Sequence, residues 1–133
     1  AAFEVLSEGL KRFPDSADLL YDRAMVAEKL DKLDALEADL RRVILLRPDD
    51  AQAYNALGYT LADRTDRLAE AIVLLDKALA LAPEDPFILD SVGSVTVTGI
   101  VRSPILLFSR LSILNFTVQL PPMEDIINTT LQG

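Results

Sequence analysis

Residues 54–83 read "YNALGYTLADRTDRLAEAIVLLDKALALAP" and contain two amphipathic stretches joined by the polar break "ADRTDR". In both stretches apolar residues recur every three or four positions, which is typical of helices that bury one face. Pro83 ends the second stretch, because proline cannot continue a helix. The sequence therefore predicts two antiparallel helices, a helix hairpin, between residue 54 and this proline.

The same arrangement recurs along the chain. Pro14, Pro48 and Pro83 are separated by 34 and 35 residues, and each is followed by acidic residues in "KRFPDSA", "LLRPDDA" and "LAPEDP". The proline stops one helix, and an Asp or Ser just after it can cap the next. A single hairpin has an apolar face too small for stability, so neighbouring hairpins are expected to stack and bury it.

The hairpin of residues 54–83 resembles the tetratricopeptide repeat, whose pattern is W-x2-L-G-x2-Y, then A-x3-F, then P. Its matching residues are Tyr54, Leu57, Gly58, Leu61, Ala71, Leu75, Ala78 and Pro83. The preceding unit matches less closely through Leu20, Arg23, Ala24, Ala27, Leu36, Leu40, Val43 and Pro48. Arg23 stands where the family usually has Leu, so we expect looser packing at that point. A helical bundle with chance spacing and other solenoid families built from helix pairs are the alternatives.

The resemblance implies an all-α fold over residues 1–93, an α-solenoid in which antiparallel helix hairpins stack into a superhelix. Small residues stand at Ala24, Gly58 and Gly93, where the family pattern brings two helices close together. The expected units are a second helix of a partial repeat at 1–14, repeats at 17–48 and 51–83, and the start of a further repeat at 86–93. Because the chain opens in the pattern of a helix interior, we expect it to be a fragment of a longer protein.

In this family the first helix of each hairpin lines a concave surface that commonly holds a peptide. In the second unit, side chains at i, i+3, i+4, i+7, i+10 and i+11 share one helical face that the hairpin does not bury. With the equivalent positions of the next two units, the candidate peptide-binding residues are Asp18, Tyr21, Asp22, Met25, Glu28, Gln52, Asn55, Tyr59, Asp63, Phe87 and Asp90.

This candidate set is acidic and contains Tyr, Met and Phe. Tyr offers a large contact area at low entropic cost, and Met adapts to irregular partners. A protein or peptide with basic and apolar side chains would therefore suit the surface. The alternative is that the charges form a solvated helix face and the tyrosines pack between repeats.

One kind of peptide site is disfavoured by the same positions. Family members that grip the acidic C-terminus of heat-shock chaperones use Lys, Arg and Asn on the concave face. The corresponding residues here are Tyr21, Met25, Ala56, Phe87 and Ser91. The resemblance therefore implies no clamp of that type.

The composition disfavours several classes of function. The chain has no His and no Cys, which removes the usual general base near neutral pH, thiol nucleophiles, disulfides and most zinc sites. Its net charge of −8 repels phosphate backbones, so we expect no nucleic-acid binding. Adjacent acids after Pro48 and Pro83 are typical of helix caps. We expect no enzyme activity, metal site or cofactor, and either the cytoplasm or the periplasm would fit.

Residues 94–133 form an atypical apolar tail. They contain no Ala or Lys, and 14 of the 40 are Val, Ile or Thr, against 10 of the preceding 93. Since this composition favours strands over helices, we expect the last helix either to be cut short near Gly93 or to be forced by packing, within an irregular tail that is partly β or disordered.

Three origins of the tail are considered, in order of preference. It is a segment foreign to the repeat (a fusion or an out-of-frame stretch), an irregular cap on the solenoid, or a membrane segment. The last is disfavoured because its longest apolar run, "PILLFSRLSILNFTVQL", is 17 residues and interrupted by Arg110, whereas spanning needs about 20. In the first two cases we expect residues 105–114 to dock on the helical stack or to mediate self-association.

The main functional hypothesis is a protein–protein interaction module or scaffold that binds a polypeptide segment on its concave face. The first alternative is a structural module that forms a homo-oligomer through exposed repeat ends and the tail. The second alternative is a non-catalytic part of a larger enzyme.

Overall fold

A computed structural model of the chain describes residues 1–102. These residues form helices only: α1 Ala2–Arg12, α2 Ala17–Lys29, α3 Leu33–Leu46, α4 Ala51–Arg64, α5 Leu68–Leu81 and α6 Pro86–Arg102. Three-residue connections join α2 to α3 and α4 to α5, and connections this short make the paired helices antiparallel. The predicted all-α helical repeat is confirmed.

The residue two positions after each proline caps the helix that follows. The side chains of Ser16 and Asp50 accept hydrogen bonds from the backbone N–H groups of Leu19 and Ala53, at 3.3 and 3.1 Å. Asp85 Oδ1 accepts from the N–H of Phe87 at 2.9 Å. Because a capped helix start satisfies backbone donors that have no partner inside the helix, these residues fix where α2, α4 and α6 begin.

Helices α2 and α3 form the second hairpin, and α4 and α5 form the third, in which the two helices approach closely at Gly58. A Cβ atom placed on Gly58 would lie 2.9 Å from Cγ of Leu75 and 3.0 Å from the carbonyl oxygen of Ala71. Carbon atoms pack best at about 3.5–4.0 Å, so no residue other than glycine fits here without a shift of α5. Leu75 and its counterpart in α3, Leu40, are fully buried.

The second hairpin contains an ion pair where the third contains two leucines. Arg23 Nε and Nη2 donate to the two carboxylate oxygens of Asp39, both at 2.7 Å, and Asp39 is only 4% exposed. This hydrogen bonding raises the pKa of the Arg23 guanidinium, which also lies 5.6 Å above the ring of Phe3. The expectation of loose packing at Arg23 is wrong, because Asp39 satisfies the guanidinium in the fork-to-fork geometry that suits both groups.

Four charged side chains connect the second helices of consecutive hairpins. Arg67, the residue before α5, donates from Nη1 and Nη2 to the two carboxylate oxygens of Glu37 on α3, each at 2.8 Å. Arg41 on α3 in turn pairs with Glu37 and with Glu70 on α5. Hydrogen bonds from Arg67 and then Arg41 lower the pKa of Glu37. The network ties α3 to α5 on the side of the stack formed by the second helices.

The last described helix, α6, continues through Gly93 to Arg102. Of the two alternatives expected for this helix, a stop near Gly93 is wrong for residues 94–102, and these residues are helical. Val95 and Gly99 are buried, and a Cβ on Gly99 would lie 3.5 Å from Cδ2 of Leu68. Packing against the third hairpin thus overrides the strand preference of the β-branched residues.

The interpretations of residues 103–133 lie outside the described residues. Within residues 1–102, no helix combines the length and the apolar character needed to cross a membrane.

The Arg23–Asp39 pair can be tested by converting it to its counterpart in the third hairpin, Leu57 and Leu74. We expect Asp39→Leu alone to lower the free energy of unfolding by about 2–3 kcal/mol, because it leaves a half-buried guanidinium without its partner. The double variant Arg23→Leu and Asp39→Leu should recover most of that loss. Urea unfolding gives the free energy of unfolding of the unmodified chain, the single variant and the double variant. A double variant as unstable as Asp39→Leu would contradict the equivalence of the two hairpins.

The close approach at Gly58 predicts that Gly58→Ala lowers the free energy of unfolding by about 1–3 kcal/mol, since the added methyl group meets the backbone of α5. The matched control is Gly9→Ala, whose new Cβ would lie 3.4 Å from the flexible side chain of Leu19. Thermal unfolding should show the control unchanged or stabilised, because Ala is the better helix former. Equal effects at both positions would refute the steric explanation.

Candidate peptide-binding surface

The first helices α2, α4 and α6 carry two cavities on one side of the stack, here called the first-helix surface. The acidic cavity, of about 380 Å³, is lined mainly by α2 and by the connection into α4. Its lining residues are Asp18, Tyr21, Asp22, Arg47, Asp50 and Gln52.

Most polar groups of the acidic cavity are engaged within the protein. Arg47 Nη1 donates to Asp18 Oδ1 at 2.9 Å, and Gln52 Nε2 donates to Asp85 Oδ2 at 2.7 Å. Asp50 caps α4. Within residues 1–102, Asp22 forms no hydrogen bond or ion pair through its carboxylate, so it can accept a hydrogen bond from a ligand.

The phenol of Tyr21 reports the electrostatic character of this cavity. Burial raises its pKa most, and the negative charges of Asp50, Asp22 and Glu28 raise it further, because a phenolate would add a fourth negative charge. The same potential that disfavours a phenolate attracts a cation. The acidic cavity is thus suited to a Lys or Arg side chain, with the ring of Tyr21 available to its aliphatic part.

The second cavity, here called the mixed cavity, occupies about 220 Å³ where α2, α4 and α6 meet. It is lined by Met25, Glu28, Asn55, Ala56, Tyr59, Thr60, Phe87, Asp90 and Ser91. Phe87 is 75% exposed and Tyr59 is 38% exposed, so large apolar groups face outward here. This cavity can take an apolar side chain, with Glu28 and Asp90 at its edge.

Asn55 brings a polar group to the floor of the mixed cavity. Its Oδ1 atom is buried and accepts no hydrogen bond from the described residues. Because Asn55 also lines the cavity, its side-chain amide is available to a polar group of a peptide.

The structure places ten of the eleven sequence-predicted residues at the two cavities. Asp18, Tyr21, Asp22 and Gln52 line the acidic cavity, and Met25, Glu28, Asn55, Tyr59, Phe87 and Asp90 line the mixed one. The eleventh, Asp63, lies in neither and pairs with Arg64 at 3.2 Å.

Five lining residues lie outside the eleven candidates: Ala56 and Ser91 stand at concave-face positions named above, and sequence reasoning missed the other three. Arg47 and Asp50 flank Pro48 in the connection before α4, and Thr60 stands beside Tyr59. Counting positions along a helix face leaves out residues in the connections between helices. The charged residues around each repeating proline were the signal that could have indicated them. Among residues 1–102, no group of three or more acidic side chains is arranged to hold a metal ion.

Comparison with known proteins agrees with this architecture. A tetratricopeptide-repeat family model matches residues 51–85. The chain is 55% identical over 92 residues to TPR repeat-containing protein PA4667 of Pseudomonas aeruginosa; the match covers 69% of this chain and 16% of that protein. The chain therefore spans about one sixth of that relative's length.

Among solved structures, the chain resembles the first TPR of Spaghetti (RPAP3), described as bound to the HSP90 peptide SRMEEVD. The TM-score is 0.65 at 20% identity, and the match covers 71% of this chain and 74% of that one, which shows a shared fold. The three proline-punctuated units, the Gly58–Leu75 approach and these matches identify residues 1–93 as part of the tetratricopeptide-repeat family.

Proposed function

We propose that the chain is a non-catalytic protein-interaction module that binds an extended polypeptide segment along the first-helix surface. The observation that carries the proposal is the position of the two cavities. Because α4 contributes to both, one extended segment crossing α4 meets the acidic cavity on one side and the mixed cavity on the other. The tetratricopeptide-repeat neighbour bound to a peptide supports a peptide as the class of ligand.

Charge selects the chemistry of the ligand. The carboxylates of Asp22, Glu28 and Asp90 form no ion pair or hydrogen bond within residues 1–102, although all three line the cavities. A Lys or Arg side chain in the acidic cavity would neutralise part of this charge, and the effect would weaken with added salt. An acidic segment such as SRMEEVD, which the neighbour binds, would be repelled here.

Apolar contact and the peptide backbone supply the rest of the interaction. Burying a Leu or Phe side chain against Met25, Tyr59 and Phe87 contributes about 1.5–3 kcal/mol. The side-chain amide of Asn55, which lines the mixed cavity, is available to a backbone group of the segment. The proposed ligand is thus a polypeptide segment that carries a Lys or Arg and, a few positions before or after it, a Leu or Phe side chain.

The test uses a synthetic panel of short peptides in which one Lys or Arg and one Leu or Phe are placed at every spacing, with SRMEEVD as the acidic reference. We expect binding of the basic–apolar peptides, measured by fluorescence polarisation, and none of the reference. Asp22→Lys should weaken the tightest peptide about tenfold, or about 1.4 kcal/mol, because it replaces attraction by repulsion.

The matched control is Asp63→Lys, which makes the same charge change at a first-helix residue outside both cavities. Its peptide affinity should stay within about twofold of that of the unmodified chain when both are measured at a salt concentration that screens long-range charge. If the two variants lost the same amount of peptide affinity, the loss would come from the change in net charge alone, which would contradict a localised site. Light scattering tests the alternative of a structural module that forms a homo-oligomer. A stable oligomer in which Tyr21 and Tyr59 are buried would favour that alternative.

A further inference from the structure

Among the described residues that line the acidic cavity, Arg47 carries a positive charge. Its counterparts in the neighbouring units are Phe13 and Ala82, each directly before the repeating proline. All three residues end a helix with φ between −131 and −142°, and the backbone N–H of each donates to the carbonyl group four residues earlier. Since a phenyl ring and a methyl group serve equally well at this position, the end of α3 does not require the guanidinium of Arg47.

The guanidinium is held instead by an acidic residue of α2. Arg47 Nη1 donates to Asp18 Oδ1 at 2.9 Å, and this hydrogen bond is the largest of the effects that raise the pKa of Arg47. Asp18 and Asp22 stand four positions apart, so their carboxylates are neighbours on one helical face and repel each other. Arg47 offsets that repulsion from the side of Asp18.

This contact places a cation of the protein in a cavity suited to the cation of a ligand. The side chains of Arg47 and Asp18 are 48 and 79% exposed, and ion pairs this exposed to water stabilise a protein little. A Lys or Arg of a bound segment can therefore take the place of Arg47 at Asp18. The negative charges of Asp50 and Asp49 also act on the guanidinium and keep it nearby when it is displaced.

We propose that Arg47 is an internal competitor of the ligand, whose guanidinium occupies the Asp18 end of the acidic cavity until a basic side chain of the bound segment displaces it. The inference rests on the proposed function, because it concerns the same cavity and the same class of ligand. In the complex, the cation of the ligand lies between Asp18 and Asp22, and Arg47 turns towards Asp49.

Competition of this kind makes the first-helix surface selective. A basic side chain that displaces Arg47 replaces one exposed ion pair by another, so this exchange alone contributes little to affinity. The apolar side chain that enters the mixed cavity then decides whether a segment binds. A basic segment without such a side chain is rejected, which separates the ligand from the many basic surfaces that an acidic protein meets.

The first test is the variant Arg47→Gln, which removes the positive charge and keeps a polar side chain. We expect it to bind the tightest peptide of the panel about three- to tenfold more tightly than the unmodified chain does, measured by fluorescence polarisation. A version of the same peptide with Ser in place of its Leu or Phe should bind to Arg47→Gln and not to the unmodified chain.

The matched control is Arg42→Gln. Arg42 Nη2 donates to Asp15 Oδ1 at 2.5 Å, its side chain is 50% exposed, and it lines neither cavity. The control therefore removes the same charge and an exposed ion pair of the same kind. Its peptide affinity should stay within about twofold of that of the unmodified chain at a salt concentration that screens long-range charge. An equal gain in both variants would assign the effect to net charge and overturn the proposal.

A double-mutant cycle with Asp18→Asn tests whether the competition is for Asp18. In a chain that carries Asp18→Asn, the further change Arg47→Gln should alter the peptide affinity by less than about twofold, because the carboxylate for which the two cations compete is gone. If Arg47→Gln tightens binding equally with and without Asp18, Arg47 acts by another route and the proposal is wrong.

The outcomes separate this inference from the proposed function. If the unmodified chain binds the panel and Arg47→Gln binds no more tightly, the competition is refuted and the peptide-binding function stands. If neither protein binds any basic–apolar peptide while thermal unfolding shows both to be folded, the proposed function is wrong and the inference fails with it. Binding by Arg47→Gln alone would support both, with Arg47 as a complete block in the unmodified chain.

Discussion

The close approach of α4 and α5 at Gly58 is the constraint on which the rest of the structure depends. Leu75 occupies the space that a larger residue at Gly58 would fill, so the backbone of α5 lies close to α4 at this point. In the second hairpin Ala24 and Leu40, both fully buried, hold the equivalent positions. Two hairpins closed in the same way stack side by side, which leaves the first helices on one surface and the second helices on the other. Both cavities result from this arrangement.

Within that geometry the chemistry of individual core positions is free to change. Arg23 and Asp39 replace the pair Leu57 and Leu74 without opening the hairpin, because a bidentate ion pair fills comparable volume and satisfies its own hydrogen bonds. Such a pair stabilises little over two leucines, since both charges lose water on burial. The surface formed by the second helices and the first-helix surface differ in how their charges are paired. Between α3 and α5, arginines pair with the acidic residues. On the first-helix surface, several carboxylates have no such partner in residues 1–102.

Much of this arrangement is predictable from residues whose role is local. The helix starts can be predicted from the prolines and from the capping residues Ser16, Asp50 and Asp85, because a cap acts on backbone groups only a few residues away. The path of α6 beyond Gly93 was not predictable in this way, since its helix depends on packing with α4 and α5 that local strand preference does not contain. The same limit explains the candidate site. Positions on a helix face were placed by counting, but Arg47 and Asp50 enter the acidic cavity from a connection, and Asp63 turns to Arg64 instead.

The central claim is that a basic and apolar polypeptide segment lies across α4, between the acidic and mixed cavities. A two-dimensional amide NMR titration with the tightest peptide of the panel tests it directly. The account predicts the largest shifts at Asp22, Met25, Asn55 and Tyr59 and at the start of α6, with α3 and α5 nearly unchanged. Shifts concentrated on α3 and α5, or spread evenly over the chain, would contradict it.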